Sequence, residues 1–124
     1  TAGLQAGMVI NLDSAATPAN LVLAILDGRG NAVLEKCVAG TWTTVVTGAV
    51  TYSAGAPIRV TKRGTEYRLF YNNSEIGAAG TISDAGIISN TLHGLFCTSA
   101  LNSLDAFTLW PSGTLNEHTD LDSY

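Results

Sequence analysis

Apolar and polar positions alternate most regularly between residues 56 and 77. Ile58 and Val60 alternate with Arg59 and Thr61, and Lys62-Arg63-Gly64-Thr65 interrupts the pattern. Residues 66–71 (Glu-Tyr-Arg-Leu-Phe-Tyr) resume a strand-like run, which Asn72-Asn73-Ser74 breaks before Glu75 and Ile76. Side chains in a strand alternate faces, and Gly and Asn tolerate the positive φ that tight turns demand. Period-two runs joined by such turns mark hairpins. The stretch therefore predicts three successive strands and two turns.

Similar reasoning places the other elements. Residues 7–13 predict a first strand, ended by a turn that runs to Pro18, whose ring denies a ladder donor. Residues 20–26 are almost all apolar and predict a strand buried on both faces or central in a sheet. Asp27-Gly28-Arg29-Gly30 is a turn, and residues 31–38 return as its hairpin partner. After Ala39-Gly40, residues 41–47 are β-branched and aromatic, hence strand by propensity. Residues 48–55 read as a loop or short edge segment, and residues 81–88 as a short strand or irregular crossing. Residues 92–97 predict a strand, 98–103 a loop, and 104–110 a last alternating strand. Eight or nine short strands, without a 3.6-residue apolar stripe or a repeat, predict an all-β two-sheet antiparallel sandwich over residues 1–113. Residues 114–124 form an acidic C-terminal tail, expected to order only by docking.

Composition narrows the class. The chain has 124 residues, 46% of them hydrophobic and 13% charged, which suits one globular domain and excludes a disordered one. Ten acids against six bases leave a net charge of −4. Glu117, Asp120 and Asp122 account for most of it. Arg59, Lys62, Arg63 and Arg68 cluster, but without a wider basic footprint they read as a solvated hairpin, so no nucleic-acid partner is expected. The apolar run 21–26 is too short to cross a bilayer, and no membrane span is expected. A start at Thr1 suggests a processed product, an excised domain or a fragment. Cys37 and Cys97 are compatible with one disulfide or with two thiols.

The order of motifs adds a resemblance. Val38-Ala-Gly-Thr-Trp-Thr-Thr44, Tyr52-Ser-Ala-Gly55 and Ile58-Arg-Val-Thr-Lys-Arg-Gly64 are followed by Leu69-Phe-Tyr-Asn-Asn73 and Ile76-Gly77. Ser83-Asp84, His93-Gly-Leu-Phe96 and Leu104-Asp-Ala-Phe107 come after. This succession resembles the back half of a concanavalin A-like (laminin G-like) jelly roll. That superfamily includes carbohydrate-binding regions of secreted bacterial proteins and phage tail or fibre proteins. The resemblance implies a jelly-roll sandwich in an extracellular or virion setting. Jelly rolls of this type carry strands before the point matching Gly7, and their absence implies an open edge. A homo-oligomer or part of a larger chain is therefore expected.

The chemistry is sparse. Glycosidases on this fold carry paired carboxylates, commonly Glu-x-Asp-x-x-Glu on one strand, whereas Glu35, Glu66 and Glu75 each stand alone. His93 with Asp84 or Asp105 makes a formal triad, but no Gly-x-Ser-x-Gly elbow accompanies it. His93, inside a strand pattern, reads as a hydrogen-bonded structural histidine. No enzyme and no cofactor are expected. If a cation binds, calcium suits the scattered oxygens of Asp13, Asp27, Asn31, Asp84 and Asn90. Sugar binding on such folds stacks pyranose faces on aromatic rings beside amides and carboxylates. Trp42, Tyr71, Asn72, Asn73 and Asp84 are the candidate ligand-binding residues, with core or hairpin packing the alternative for each aromatic. The expected role is a non-catalytic module for carbohydrate binding or adhesion, with a glycan or neighbouring subunits as partner. The alternative is a structural assembly module, as in a phage tail, fibre or capsid accessory protein.

Overall fold

The computed structural model describes residues 5–104 and 106–110. The boundary at residue 113 and the acidic tail lie outside them. The strands are β1 (Ala6–Leu12), β2 (Leu21–Leu26), β3 (Asn31–Val38), β4 (Thr41–Ala49), β5 (Ile58–Arg63), β6 (Glu66–Tyr71), β7 (Ser74–Thr81) and β8 (Leu92–Cys97). One short helix, α1 (Ala85–Ile88), separates β7 from β8. All pairings are antiparallel, in a five-stranded sheet of order β4-β3-β2-β1-β8 and a three-stranded sheet of order β5-β6-β7. The fold is the all-β, two-sheet antiparallel sandwich that alternation predicts.

Turn chemistry accounts for the hairpins. Asn72 and Asn73 both have positive φ, 50° and 67°, as do Ala39 and Gly40, 49° and 82°. Two left-handed residues in succession have the twist that joins right-twisted strands through a two-residue loop. Gly64 alone is left-handed in the β5–β6 turn.

The core lies between the sheets. Val22, Ala24, Ala32, Leu34 and Val46 of the large sheet meet Tyr67, Leu69, Tyr71 and Ile76 of the small one, with Ile82 and Ile87. Along one side the sheets close: a Cβ on Gly48 would stand 2.7 Å from Ile76 Cγ2, and one on Gly80 2.2 Å from Val45 Cγ1. β4 and β7 approach this closely because those positions lack side chains. β6 packs over β3 and β5 over β2. The three-stranded sheet thus covers only part of the five-stranded one, and α1 lies against β1.

β2 is buried on both faces, as its apolar run predicts. Leu21, Leu23 and Ile25 point away from the small sheet and join Val33 and Cys37 in a second apolar cluster, with Val9, Leu12 and Phe96 packed against it.

One expectation is corrected, and two questions that the sequence left open are answered. The strand expected over 104–110 does not form: residues 104 and 106–110 join no sheet, and Phe107, Leu109 and Trp110 are exposed. Residues 85–88 are a helical turn, started by Ile87 N–H and Ile88 N–H donating to the Asp84 carbonyl at 2.9 and 3.1 Å. A disulfide between Cys37 and Cys97 is ruled out, and both are free. Two strands separate β3 from β8, so their Cα atoms stand about 14 Å apart or more, against a limit of about 7 Å for a bridge.

Candidate functional site

The structure disperses the sugar-binding candidates. Tyr71 is 4% exposed, and its hydroxyl accepts from Ser53 N–H at 2.9 Å and donates to Ser53 C=O at 3.2 Å. Tyr71 is a core residue whose polar tip pins the 48–57 loop, so its ring offers no sugar platform. Asn72 and Asn73 are exposed at the β6–β7 tip, where their contribution is backbone conformation. Asp84 precedes α1 and holds Lys36 Nζ at 2.6 Å, both side chains roughly a quarter exposed. Trp42 is 49% exposed on β4. It pairs with Cys37 while Thr43 pairs with Lys36, so Trp42 lies on the outer face of the large sheet and Asp84 on the inner. The asparagine tip lies near the far end of β4, where Ile76 meets Gly48. Residues 42 to 48 of extended chain, about 20 Å, separate the two. Trp42 is the one aromatic among these candidates left facing an open surface.

That surface is a shallow depression of about 360 Å³ lined by Gln5, Leu23, Glu35, Trp42 and Phe96. It adjoins a second of about 320 Å³, sharing Gln5 and Glu35 and lined also by Ile25, Asp27, Arg29, Val33, Thr44 and Thr47. Register explains the convergence. Cys37 opposite Trp42, Glu35 opposite Thr44 and Val33 opposite Thr47 all point outward, and a bulge at Leu34/Glu35 keeps β4 in phase across Val45. Glu35 accepts from Thr44 Oγ1 at 3.3 Å. Leu23, Ile25 and Val33 supply an apolar floor and the β3–β4 side chains a polar rim. Glu35 and Gln5 are members of this site that sequence reasoning passed over. Glu35 carried a signal, as the one carboxylate of β3, directly after the apolar run Ala32-Val33-Leu34.

The calcium candidates are engaged in turns. Asp27 accepts from Arg29 N–H at 2.7 Å, Asn31 N–H at 3.0 Å and Asn31 Nδ2 at 2.9 Å. Burial pushes its carboxyl up, but those hydrogen bonds outweigh it and hold the group below the usual aspartate range. Asp13 is held low by Ala19 N–H and the Asn20 side chain. Asn90 serves the network described next, and among the described residues no three His, Cys, Asp or Glu side chains gather.

The basic cluster also dissolves. Arg68 reaches Glu66 at 3.2 Å and Glu75 at 2.8 Å. Lys62 turns inward to the Ile88 carbonyl at 2.6 Å, and Arg59 stacks on Phe70 at 4.2 Å.

A buried polar network is the feature sequence reasoning missed. Asn11 is 3% exposed with φ 50°, at a bulge where β1 loses register with β8. Its Oδ1 accepts from Tyr67 Oη at 2.7 Å, and its Nδ2 donates to the Asn90 carbonyl at 2.6 Å. Asn90 Nδ2 returns a bond to the Asn11 carbonyl at 3.1 Å. The Asn11 N–H, freed from the ladder, donates to His93 Nδ1 at 3.2 Å. His93 is therefore a structural acceptor, its proton on Nε2, as its place in the strand predicts. Burial, then the Lys62 charge, lowers its pKa. Burial raises that of Tyr67 to about 12. The network ties β1, β6, α1 and β8 together.

No protein-family model matches the chain, and no curated protein sequence matches it. Among solved structures, the carbohydrate-binding module CBM66 from Bacillus subtilis superposes with a TM-score of 0.57 at 14% identity. The match covers 77% of this chain and 55% of that one, so the chain spans little more than half of the module's length. At this identity the likeness is one of fold.

Proposed function

We propose that this chain is a non-catalytic carbohydrate-binding module whose glycan lies on the outer face of the five-stranded sheet, across Trp42. The observation that carries the reading is the half-exposed indole beside Glu35 and Gln5, over an apolar floor. A pyranose ring presents C–H groups on its face and hydroxyls at its edge, so an indole with adjacent acceptors and donors suits it. The adjoining depression, with Thr44, Thr47 and Arg29 at its margin, extends the surface for further sugar units. That a module similar in fold is named for carbohydrate binding supports the reading. A concanavalin A-like jelly roll in an extracellular or virion setting is its fold-level counterpart. Asn72, Asn73 and Asp84 lie away from this surface and are not assigned to the glycan.

Affinity electrophoresis and microarray binding on a panel of polysaccharides test the proposal. Trp42→Ala is expected to weaken binding about tenfold, equivalent to about 1.4 kcal/mol, with an unchanged fold. Binding that survives Trp42→Ala overturns the placement.

A second reading rests on a separate observation. Leu92 and Leu95, each 47% exposed, leave an apolar face on β8, the edge strand of the large sheet, where solvated edges carry polar or charged residues. Such a face suits an assembly module packed on a neighbouring subunit or on the rest of a longer chain. Absence of glycan binding together with self-association through this face favours that reading.

A further inference from the structure

The three-stranded sheet ends at β5, whose only strand partner among the described residues is β6. The hydrogen bond from Asn72 N–H to the Pro57 carbonyl, 2.9 Å, sets the ladder phase. Residues 57, 59, 61 and 63 direct their backbone groups toward β6, so Ile58, Val60 and Lys62 direct theirs to the free edge. The space beside the Ile58–Val60 part of that edge faces the part of the large sheet that the small one leaves uncovered, while at the Lys62 end the Ile88 carbonyl, 2.6 Å from Lys62 Nζ, brings the end of α1 alongside. Met8 of β1 and Leu95 of β8 lie on the face toward it, as does Ile10, which also packs against the core, since Met8 pairs with Ala24 and Leu95, and Ile10 with Val22. Leu95 is 47% exposed. An unpaired ladder beside an uncovered apolar strip is the geometry of strand addition.

Charge decides the occupant. β5 carries Arg59, Lys62 and Arg63 and no acid. Pairing two copies along this edge would bring together Arg59 and Arg63 of each, four outward-facing cations, while Glu66 opposite Arg63 is already engaged by Arg68. Arg68 is already matched by Glu66 and Glu75, whereas Arg59 and Arg63 have no ion pair among the described residues. A second copy is therefore disfavoured, as is a basic segment.

We propose that the β5 edge binds an extended strand from outside this chain, acidic on its outward face toward Arg59 and Arg63 and apolar on its inward face over Met8, Ile10 and Leu95. This site is independent of the proposed glycan surface, which lies on the opposite face of the large sheet.

The test is amide hydrogen exchange on the full chain with a blocked peptide, Thr-Glu-Val-Glu-Leu-Glu-Val-Thr, against its analogue with lysine at each glutamate. The Ile58, Val60 and Lys62 amides are expected to exchange freely in the chain alone and at least about tenfold more slowly with the acidic peptide. The lysine peptide is expected to leave them unprotected. Val60→Pro removes an outward N–H and none directed at β6, so it should abolish the protection while the β6–β7 amides stay slow. Should that variant fail to fold, the double change Arg59→Glu and Arg63→Glu should transfer the preference to the lysine peptide. Protection of the three amides in the chain alone, equal response to both peptides, or no response to either overturns the proposal. So does protection that grows with protein concentration, which would identify a second copy.

Discussion

Tyr67→Phe tests whether the Asn11 network holds the sandwich together. The substitution keeps the ring, which is fully buried, and deletes only the hydroxyl. Asn11 Oδ1 then loses its 2.7 Å donor in a site that is 3% exposed. Stranding one buried acceptor costs about 1–3 kcal/mol. Asn11→Ala removes more: Tyr67 Oη and the Asn90 carbonyl lose their partners, and alanine must hold a φ of 50°. Two stranded groups put the loss at about 2–6 kcal/mol, a large share of the stability of about 5–15 kcal/mol ordinary for a domain. Urea titration followed by fluorescence measures both, with the midpoint lowered and the slope unchanged. With Asn11 already alanine, deleting the Tyr67 hydroxyl should be cheap or even favourable, so the two losses should not add. A Tyr67→Phe midpoint equal to that of the unmodified chain, or strictly additive losses, refutes the account.

Acid should weaken the fold through His93. Its folded pKa is depressed, first by burial and then by Lys62, so the neutral form is the one the fold prefers. Stability is therefore complete above the unfolded value of about 6.5 and declines as pH falls through the lower folded value. Protonated Nδ1 also meets the Asn11 N–H as donor against donor. Urea midpoints between neutral pH and the carboxylate range should fall in the native chain and flatten in His93→Gln; parallel curves would refute the assignment. Cys97 is exposed and Cys37 buried, so a thiol reagent should titrate one cysteine in the native protein and two in denaturant. Two unreactive sulfurs in denaturant, with a mass two hydrogens short, would contradict the strand order.

Local pattern determined the strands and turns. The runs at 31–38, 66–71 and 92–97 read directly from the chain, because side-chain period and turn residues are properties of neighbours in sequence. The both-faces burial of β2 was legible for the same reason, as six consecutive apolar residues leave no polar face. What lay beyond sequence was every relation between strands. Tyr67 and Tyr71 both alternate into the core, yet one anchors Asn11 and the other a loop, and the choice depends on residues 56 and 18 positions away. The candidates Trp42, Tyr71, Asn72, Asn73 and Asp84 share an ordering along the chain and no common surface. Only the register of β3 on β4 gathers Trp42 with Glu35, and only the unequal width of the two sheets leaves β5 open. Strand periodicity is a one-dimensional signal with two phases, and it says which residues face inward. Which strand lies beside which is set by long-range pairing, and that is where the candidate site arises.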